Sequence, residues 1–158
     1  MCSRNLSGDS RTVPGESIGD TKHTSKCLCG EVEMELVGRP LASLHCHCTI
    51  CQNWTGAPYQ WMVLFPANRA SIAKGAENIQ ISKTSDALDR ARCKKCTCHV
   101  YNYSPGQLYA VPGVAIQGIR SEDRTFAEGF APVAEIFYST RVKDMNGGLP
   151  TFDGFPTA

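Results

Sequence analysis

The chain has 158 residues, and its 16 lysines and arginines against 15 aspartates and glutamates leave a formal net charge of +1. This length suits one domain with its own core. The balanced charge offers no basic surface for nucleic acid or an anionic membrane, and no apolar run approaches the ~20 residues that span a bilayer. We therefore expect a small molecule or another protein as the partner, with neither nucleic acid nor membrane bound and with homo-oligomer formation left open.

The first residues differ in composition from the rest of the chain. Residues 1–22 are rich in Ser, Gly, Asp and Thr. They lack the apolar core of a signal peptide, and their acidic residues distinguish them from a transit peptide. Such a segment buries too little apolar surface to offset its ordering entropy. The sequence predicts a flexible tail over residues 1–22, a folded domain over residues 23–158 and a cytoplasmic location.

Short apolar or alternating segments separated by Gly and Pro follow the tail, a pattern typical of an all-β domain. Residues 31–37 alternate strictly and predict a half-buried strand, while residues 59–65, which are rich in aromatic and β-branched side chains, predict a core strand. Further strands are predicted at residues 79–82, 100–103, 108–111, 114–119 and 135–139. The one helical feature that we expect is a turn after Cys48.

Nine cysteines are the most distinctive feature of the composition. In a reducing compartment they indicate metal binding or thiol chemistry rather than a disulfide framework. All but Cys2 fall into three groups: Cys27 and Cys29; Cys46, Cys48 and Cys51; and Cys93, Cys96 and Cys98. Cysteines one or two residues apart in a turn can reach one zinc ion, which prefers a tetrahedron of thiolates or imidazoles.

The simplest partition of these cysteines gives two sites of different character. A closed, structural site, here named the four-cysteine cluster, would consist of Cys27, Cys29, Cys93 and Cys96. The remaining group, here named the cysteine triplet, consists of Cys46, Cys48 and Cys51. Three protein ligands with an open fourth position are typical of a catalytic zinc. The spacing leaves open whether one or two ions bind. We expect the neighbouring His45, His47 and His99 to be exposed or to support a ligand rather than to bind metal.

The arrangement CLCG, HCHCTIC and CKKC resembles the glutathione-dependent formaldehyde-activating enzyme family, which includes centromere protein V-like proteins. The resemblance extends to WTGAP after the triplet, to Phe65-Pro66, to PVAEIF with Arg141, and to GLPTF near the C-terminus. It implies a mainly β fold of the β-tent type, with two zinc-stapled antiparallel sheets and the same partition of the seven ligands. It also implies two zinc ions per chain, glutathione as co-substrate, and a carbon–sulfur lyase.

Further site residues are predicted beside the cysteines. Glu135 is a candidate acid or base, and together with the triplet it forms the predicted catalytic set. The candidate substrate-binding residues are Trp54, Thr55, Gly56, Tyr59 and Arg141. For the aromatic residues a place in the core, and for the charged residues an ordinary ion pair, are at least equal alternatives.

Several positions depart from the family pattern. Thr97 stands where glycine is usual, Cys98 and His99 replace small or apolar residues, and Glu135 replaces a histidine. These departures favour a diverged substrate, a small carbonyl or electrophilic metabolite of a specialised pathway. A non-catalytic, zinc-stapled protein-interaction module is the main alternative, and a thiol switch that pairs Cys96 with Cys98 is a third.

Overall fold

The computed structural model describes residues 21–156. In chain order its elements are β1 (Lys22–Lys26), β2 (Glu33–Val37), β3 (Ala42–Cys46), α1 (Thr49–Thr55), β4 (Gln60–Pro66), β5 (Ala70–Lys74), β6 (Ile79–Lys83), β7 (Asp89–Cys93), β8 (His99–Ser104), β9 (Leu108–Pro112), β10 (Ala134–Ile136) and β11 (Thr151–Phe152). The predicted tail lies outside the described residues except for Thr21 and Lys22, and Lys22 begins β1.

The described strands form two sheets. The small sheet has the order β1-β2-β5 and is antiparallel, and the large sheet has the order β11-β10-β3-β4-β9-β8-β7-β6. The prediction of a mainly β domain with two sheets is confirmed. The large sheet is nevertheless mixed, because β10 runs parallel to both β3 and β11. A long connection between β9 and β10 carries the chain back beside β3, which is the kind of crossover that parallel neighbours require.

Strand β4 is the centre of the hydrophobic core. Val63 and Phe65 are fully buried in the cluster that also contains β2, so they face the small sheet. Met62 and Leu64 point the other way, into a second cluster. Because successive side chains of a strand alternate between its faces, a strand covered on both sides is apolar throughout. This explains the continuous apolar run over residues 61–65.

Most of the predicted strands are confirmed, with ends shifted by one or two residues. β2 carries the alternation predicted over residues 31–37, and β6, β8 and β9 contain the segments predicted at 79–82, 100–103 and 108–111. The strand predicted at 135–139 ends at Ile136, and a 3-10 turn follows at Tyr138–Thr140. The strand predicted at 114–119 is wrong, since a 3-10 turn at Gly113–Ala115 is followed by an isolated bridge from Ile116 to Ser25.

The turn expected after Cys48 is the helix α1. Cys48 is its N-cap, and the Cys48 sulfur accepts a hydrogen bond from the backbone N–H of Cys51 at 3.3 Å. The helix ends at Gly56, whose φ of 68° lies in the left-handed region that glycine adopts without strain. Within the described part of the chain no helix is long and apolar enough to cross a membrane.

Candidate metal centres and substrate groove

The four-cysteine cluster lies where the two sheets meet. Cys27 and Cys29 occupy the turn between β1 and β2, while Cys93 ends β7 and Cys96 lies in the turn between β7 and β8. The four sulfurs lie within 4.8 Å of one another. The cluster therefore connects the small sheet to the far part of the large sheet.

The sulfur spacing of the four-cysteine cluster fits a zinc ion. Four thiolates at ~2.3 Å from zinc in a tetrahedron lie roughly 3.8 Å apart. The sulfurs of Cys27 and Cys29 are 3.5 Å apart, and those of Cys29 and Cys93 are 3.8 Å apart. Both distances far exceed the ~2.0 Å of a disulfide bond. The Cys27 sulfur also accepts a hydrogen bond from the backbone N–H of Val32 at 3.3 Å, which favours its thiolate form.

The cysteine triplet is built from the end of one strand and the start of α1. Cys46 is the last residue of β3, Cys48 caps α1, and Cys51 lies in the first turn of that helix. Their sulfurs lie within 4.8 Å of one another, and Cys46 and Cys51 are buried. The side chain of Gln52 ties the helix to the preceding loop by donating to the backbone carbonyl of His47 at 2.6 Å. The predicted partition into four and three cysteines matches the two sulfur clusters.

Crowding of three sulfurs makes their protons interdependent. Hydrogen bonds from the thiols of Cys46 and Cys51 lower the pKa of Cys48, and the same contact with Cys48 raises the pKa of Cys46. The first negative charge therefore settles on Cys48, and a second is costly without a cation nearby. Either sulfur cluster could hold a metal ion, and thiolate sulfur is a ligand that zinc favours.

A groove of about 1000 Å³ is lined by Cys27 and Cys29 of the four-cysteine cluster and by neighbours of the triplet, but by none of the three triplet cysteines. The turn of the four-cysteine cluster forms one part of its wall, and the exposed side chains of Leu28 and Val114 lie at its rim. Towards the triplet the wall includes His45, which precedes Cys46, and Gln60, which pairs with Cys46 across β3 and β4. A cavity of this size is at the upper end of the range for small-molecule sites.

A buried carboxylate bridges two histidines behind this groove. Glu135 is 2% exposed, and it accepts hydrogen bonds from Nδ1 of His45 at 3.0 Å and from Nε2 of His47 at 2.6 Å. The pairing follows from the parallel register, which places Glu135 opposite His45. Each oxygen of Glu135 thus accepts one hydrogen bond. His45 also lines the groove and packs against Tyr59, with the two ring centroids 4.7 Å apart. The sequence indicated Glu135 as an acid or base and His45 as an exposed or ligand-supporting residue, but it did not predict their pairing.

The five predicted substrate-binding residues are separated by the fold. Thr55 and Tyr59 line the groove, whereas Trp54, Gly56 and Arg141 do not. Gly56 ends α1, and the indole of Trp54 is covered by the Arg92 guanidinium at 4.0 Å. The guanidinium of Arg141 donates to Asp144 at 2.5 Å and lies over the ring of Tyr138 at 4.4 Å. A role for Arg141 in binding a carboxylate stays a prediction, and it would require that residue to leave Asp144.

Sequence reasoning missed a polar network at the groove wall. His99 donates from Nε2 to the side-chain oxygen of Asn102 at 2.8 Å, and its Nδ1 accepts from the amide of Gln60. Burial lowers the pKa of His99 to about 4, so the ring is neutral at pH 7. The other amide atom of Gln60 is buried without a hydrogen-bond partner. Gln60 lies opposite Cys46 across β3 and β4, and this position would have marked it as a site residue. The pairing of the two strands, however, cannot be read from one sequence.

The comparisons with known proteins agree with this geometry. Three similar fungal proteins have names containing the words glutathione-dependent formaldehyde-activating enzyme. The protein from Fusarium vanettenii is 29% identical over 76 residues (48% of this chain and 41% of the relative). Those from Aspergillus flavus and Podospora anserina are 27% identical over 77 residues (48% and 40%) and 29% identical over 80 residues (49% and 38%). The chain thus spans about two-fifths of the length of these relatives.

A solved structure supports the fold. A crystal structure of a Rhodobacter sphaeroides protein matches 63% of this chain and 93% of that chain, with a TM-score of 0.53 and 19% sequence identity. The family model described as glutathione-dependent formaldehyde-activating enzyme matches residues 22–140, which include both cysteine clusters. Since this match covers most of the chain, the protein belongs to the glutathione-dependent formaldehyde-activating enzyme family.

Proposed function

We propose that the protein is a zinc-dependent carbon–sulfur lyase that makes or breaks the bond between the glutathione sulfur and the carbon of a carbonyl compound. The observation that carries the proposal is the inequality of the two clusters. Four sulfurs converge at the junction of the sheets and three at the start of α1. Cys27 and Cys29 line the groove themselves, whereas the triplet meets its wall through His45 and Gln60, the chain neighbour and the cross-strand partner of Cys46. A site with three protein sulfurs leaves a position for a substrate thiol, whereas a site with four is complete.

The proposed reaction is an addition and its reverse. The glutathione sulfur attacks the carbonyl carbon, the π electrons move to the oxygen, and that oxygen takes up a proton to give a hemithioacetal. Cleavage returns the proton and breaks the carbon–sulfur bond. Bound zinc would supply a positive charge that holds the thiol as a thiolate. The residues of the chain then have to orient the carbonyl and handle one proton.

His45 is the proposed proton-handling residue. Its Nδ1 donates to Glu135, so Nε2 is left as the nitrogen that can bind the adduct oxygen from the groove wall. The ring is held further by Tyr59, which packs against both His45 and His47. The sequence predicted Glu135 as an acid or base, and the role proposed for it here is instead to orient His45, because the carboxylate is buried and each of its oxygens accepts a hydrogen bond. The test is His45→Gln, which should lower kcat more than a change of the remote His23 to Gln.

The proposed carbonyl partner is larger than formaldehyde. A groove of about 1000 Å³ exceeds the space that a one-carbon aldehyde needs, even with glutathione present. Leu28 is 85% exposed and Val114 is 82% exposed, and both lie at the groove rim. Exposed aliphatic side chains beside the aromatic rings of Tyr59 and Trp61 suit an apolar substituent on the carbonyl carbon. The proposal also requires reduced thiols and therefore a compartment such as the cytoplasm.

The test combines metal content with turnover. Zinc per chain is measured on protein purified without chelator or added metal, and hemithioacetals of glutathione with formaldehyde and with bulkier aldehydes are screened as substrates. Cys48→Ala should reduce two ions to one and abolish turnover of every active adduct. Cys98→Ala is the matched control, because Cys98 lies in the groove wall outside both clusters, and it should keep both ions.

Two outcomes would contradict the proposed lyase. If Cys48→Ala turns over the active adducts at the wild-type rate, the triplet is not the reaction centre. If no adduct is turned over by a protein that holds two ions, the non-catalytic interaction module becomes the better proposal, with the groove as its peptide-binding surface.

A further inference from the structure

Arg90 is a buried cation next to the cysteine triplet. It lies in β7 and is 2% exposed, and its side chain is among the largest fully buried ones of the described residues. Its Nη2 atom is 3.8 Å from the sulfur of Cys51, and its Nη1 atom donates to the hydroxyl of Thr84. Its Nε atom is buried without a hydrogen-bond partner.

No carboxylate within residues 21–156 forms an ion pair with Arg90. A guanidinium stays charged in proteins, and burial of a charge without a partner costs several kcal/mol. A hydroxyl and a neutral thiol do not compensate that cost, because neither carries charge. The burial of Arg90 therefore indicates that the triplet, whose Cys51 sulfur it contacts, carries negative charge in the working protein.

Charge balance also indicates that the triplet is anionic. Three thiolates around one divalent cation leave a single net negative charge, and the guanidinium of Arg90 carries one positive charge. The four-cysteine cluster has a different environment, because Cys29 is exposed and Lys95 approaches through an ion pair with Glu31 at the surface. Water can screen the excess charge of that cluster, whereas the buried sulfurs of Cys46 and Cys51 have less access to water.

We propose that Arg90 is a positioning residue for metal binding at the triplet. It balances the net negative charge of the three thiolates, and its Nη2 atom holds the sulfur of Cys51 in place. This inference rests on the proposed metal site but not on the proposed substrate. Residues that orient and balance metal ligands typically account for about 10- to 100-fold in metal affinity. The same loss is expected here when the charge of Arg90 is removed.

The experiment is a chelator competition on the zinc-loaded protein. Wild type, R90M, R90K, T84V and R92M are dialysed against graded concentrations of a zinc chelator, and zinc per chain is then measured. Freed cysteines are alkylated with iodoacetamide and located by peptide mass mapping. Arg92 is the matched control, because it lies in the same strand but contacts backbone carbonyls of Thr97 and Trp54 rather than a sulfur.

R90M should lose one ion at about 10- to 100-fold lower chelator concentration than wild type, with alkylation confined to the triplet. R90K keeps a positive charge but cannot reproduce both guanidinium contacts, so it should recover part of this affinity, while T84V, which removes an anchor of the guanidinium, should lose a few-fold. R92M should retain the triplet ion as wild type does. Circular dichroism checks that each variant is folded, and T84V decides the question if R90M is not.

Three results would overturn the inference. R90M and T84V could release the triplet ion at the wild-type chelator concentration, or R90M could release both ions together, or R90K could behave like R90M. A wild-type protein with one ion, held by the four-cysteine cluster, would instead refute the proposed metal site itself. The two failures are therefore distinguishable.

Discussion

Gly113 offers a sharp test of how the groove wall is packed. This buried glycine lies between two lining residues of the groove, and it faces the indole of Trp61. A Cβ atom at this position would lie within 3.0 Å of three ring carbons of Trp61. Its φ is not in the left-handed region, so a Gly113→Ala change tests packing alone and not backbone strain.

The expected cost follows from what holds Trp61 in place. Its Nε1 atom donates to the hydroxyl of Ser43 at 2.7 Å, and that hydroxyl donates to the backbone carbonyl of Phe130 at 2.8 Å. The ring also meets Phe126 edge to face at 5.3 Å. An added methyl must displace the ring, at a cost of about 1–3 kcal/mol for overpacking and about 1 kcal/mol for the strained hydrogen bond. We expect Gly113→Ala to lower the free energy of unfolding by about 2–4 kcal/mol.

The assay is denaturant unfolding of the zinc-loaded protein, with Gly147→Ala as the matched control. A Cβ at Gly147 meets no atom within 4 Å, and its φ is also outside the left-handed region, so that variant should stay within about 0.5 kcal/mol of wild type. A second change of Trp61 to Leu should relieve part of the clash, making the double variant less destabilised than the sum of the single ones. A Gly113→Ala protein as stable as Gly147→Ala would refute this account of the groove wall.

Two further predictions concern the cysteines and His99. Cys96→Ala should unfold or strongly destabilise the protein, because structural zinc contributes folding energy outright, whereas Cys98→Ala in the same turn should not; thermal unfolding compares the two. His99 should titrate near pH 4 by NMR, since burial lowers its pKa to about 4 from 6.5. Because the folded pKa is the lower one, the neutral ring contributes about 3 kcal/mol above pH 6.5, and this stability is lost as the pH falls towards 4. A His99 resonance that titrates near pH 6.5 in folded protein would contradict this.

The sequence was most informative where chemistry restricts residue type. Cysteine spacing predicted which sulfurs converge, because few other roles in a reducing compartment group cysteines with only one or two residues between them. Alternation and apolar runs predicted β2 and β4, since one is buried on one face and the other on both.

Strands without apolar patterns were missed. β1 reads KHTSK and β7 reads DRARC, and both are dominated by polar residues. β1 is at the edge of the small sheet, where its charged side chains pair with β2, as Lys22 does with Glu35 at 2.9 Å. In β7 the arginine at position 90 is buried, which sequence patterns assign to the surface. Conversely, residues 114–119 are apolar because Ile116 and Ile119 fill the core from an irregular segment.

The parallel strand β10 explains the contacts of Glu135, which the sequence alone could not predict. Its register with β3 puts Glu135 beside His45, although 90 residues separate them in the chain. A carboxylate there accepts from both histidines at once, so Nδ1 of His45 must be the donor and Nε2 the acceptor. A neutral histidine at position 135 would have one acceptor nitrogen and could not accept from both rings. Glu135 therefore fixes which nitrogen His45 presents to the groove, and it does so in the wall that the proposed substrate would contact.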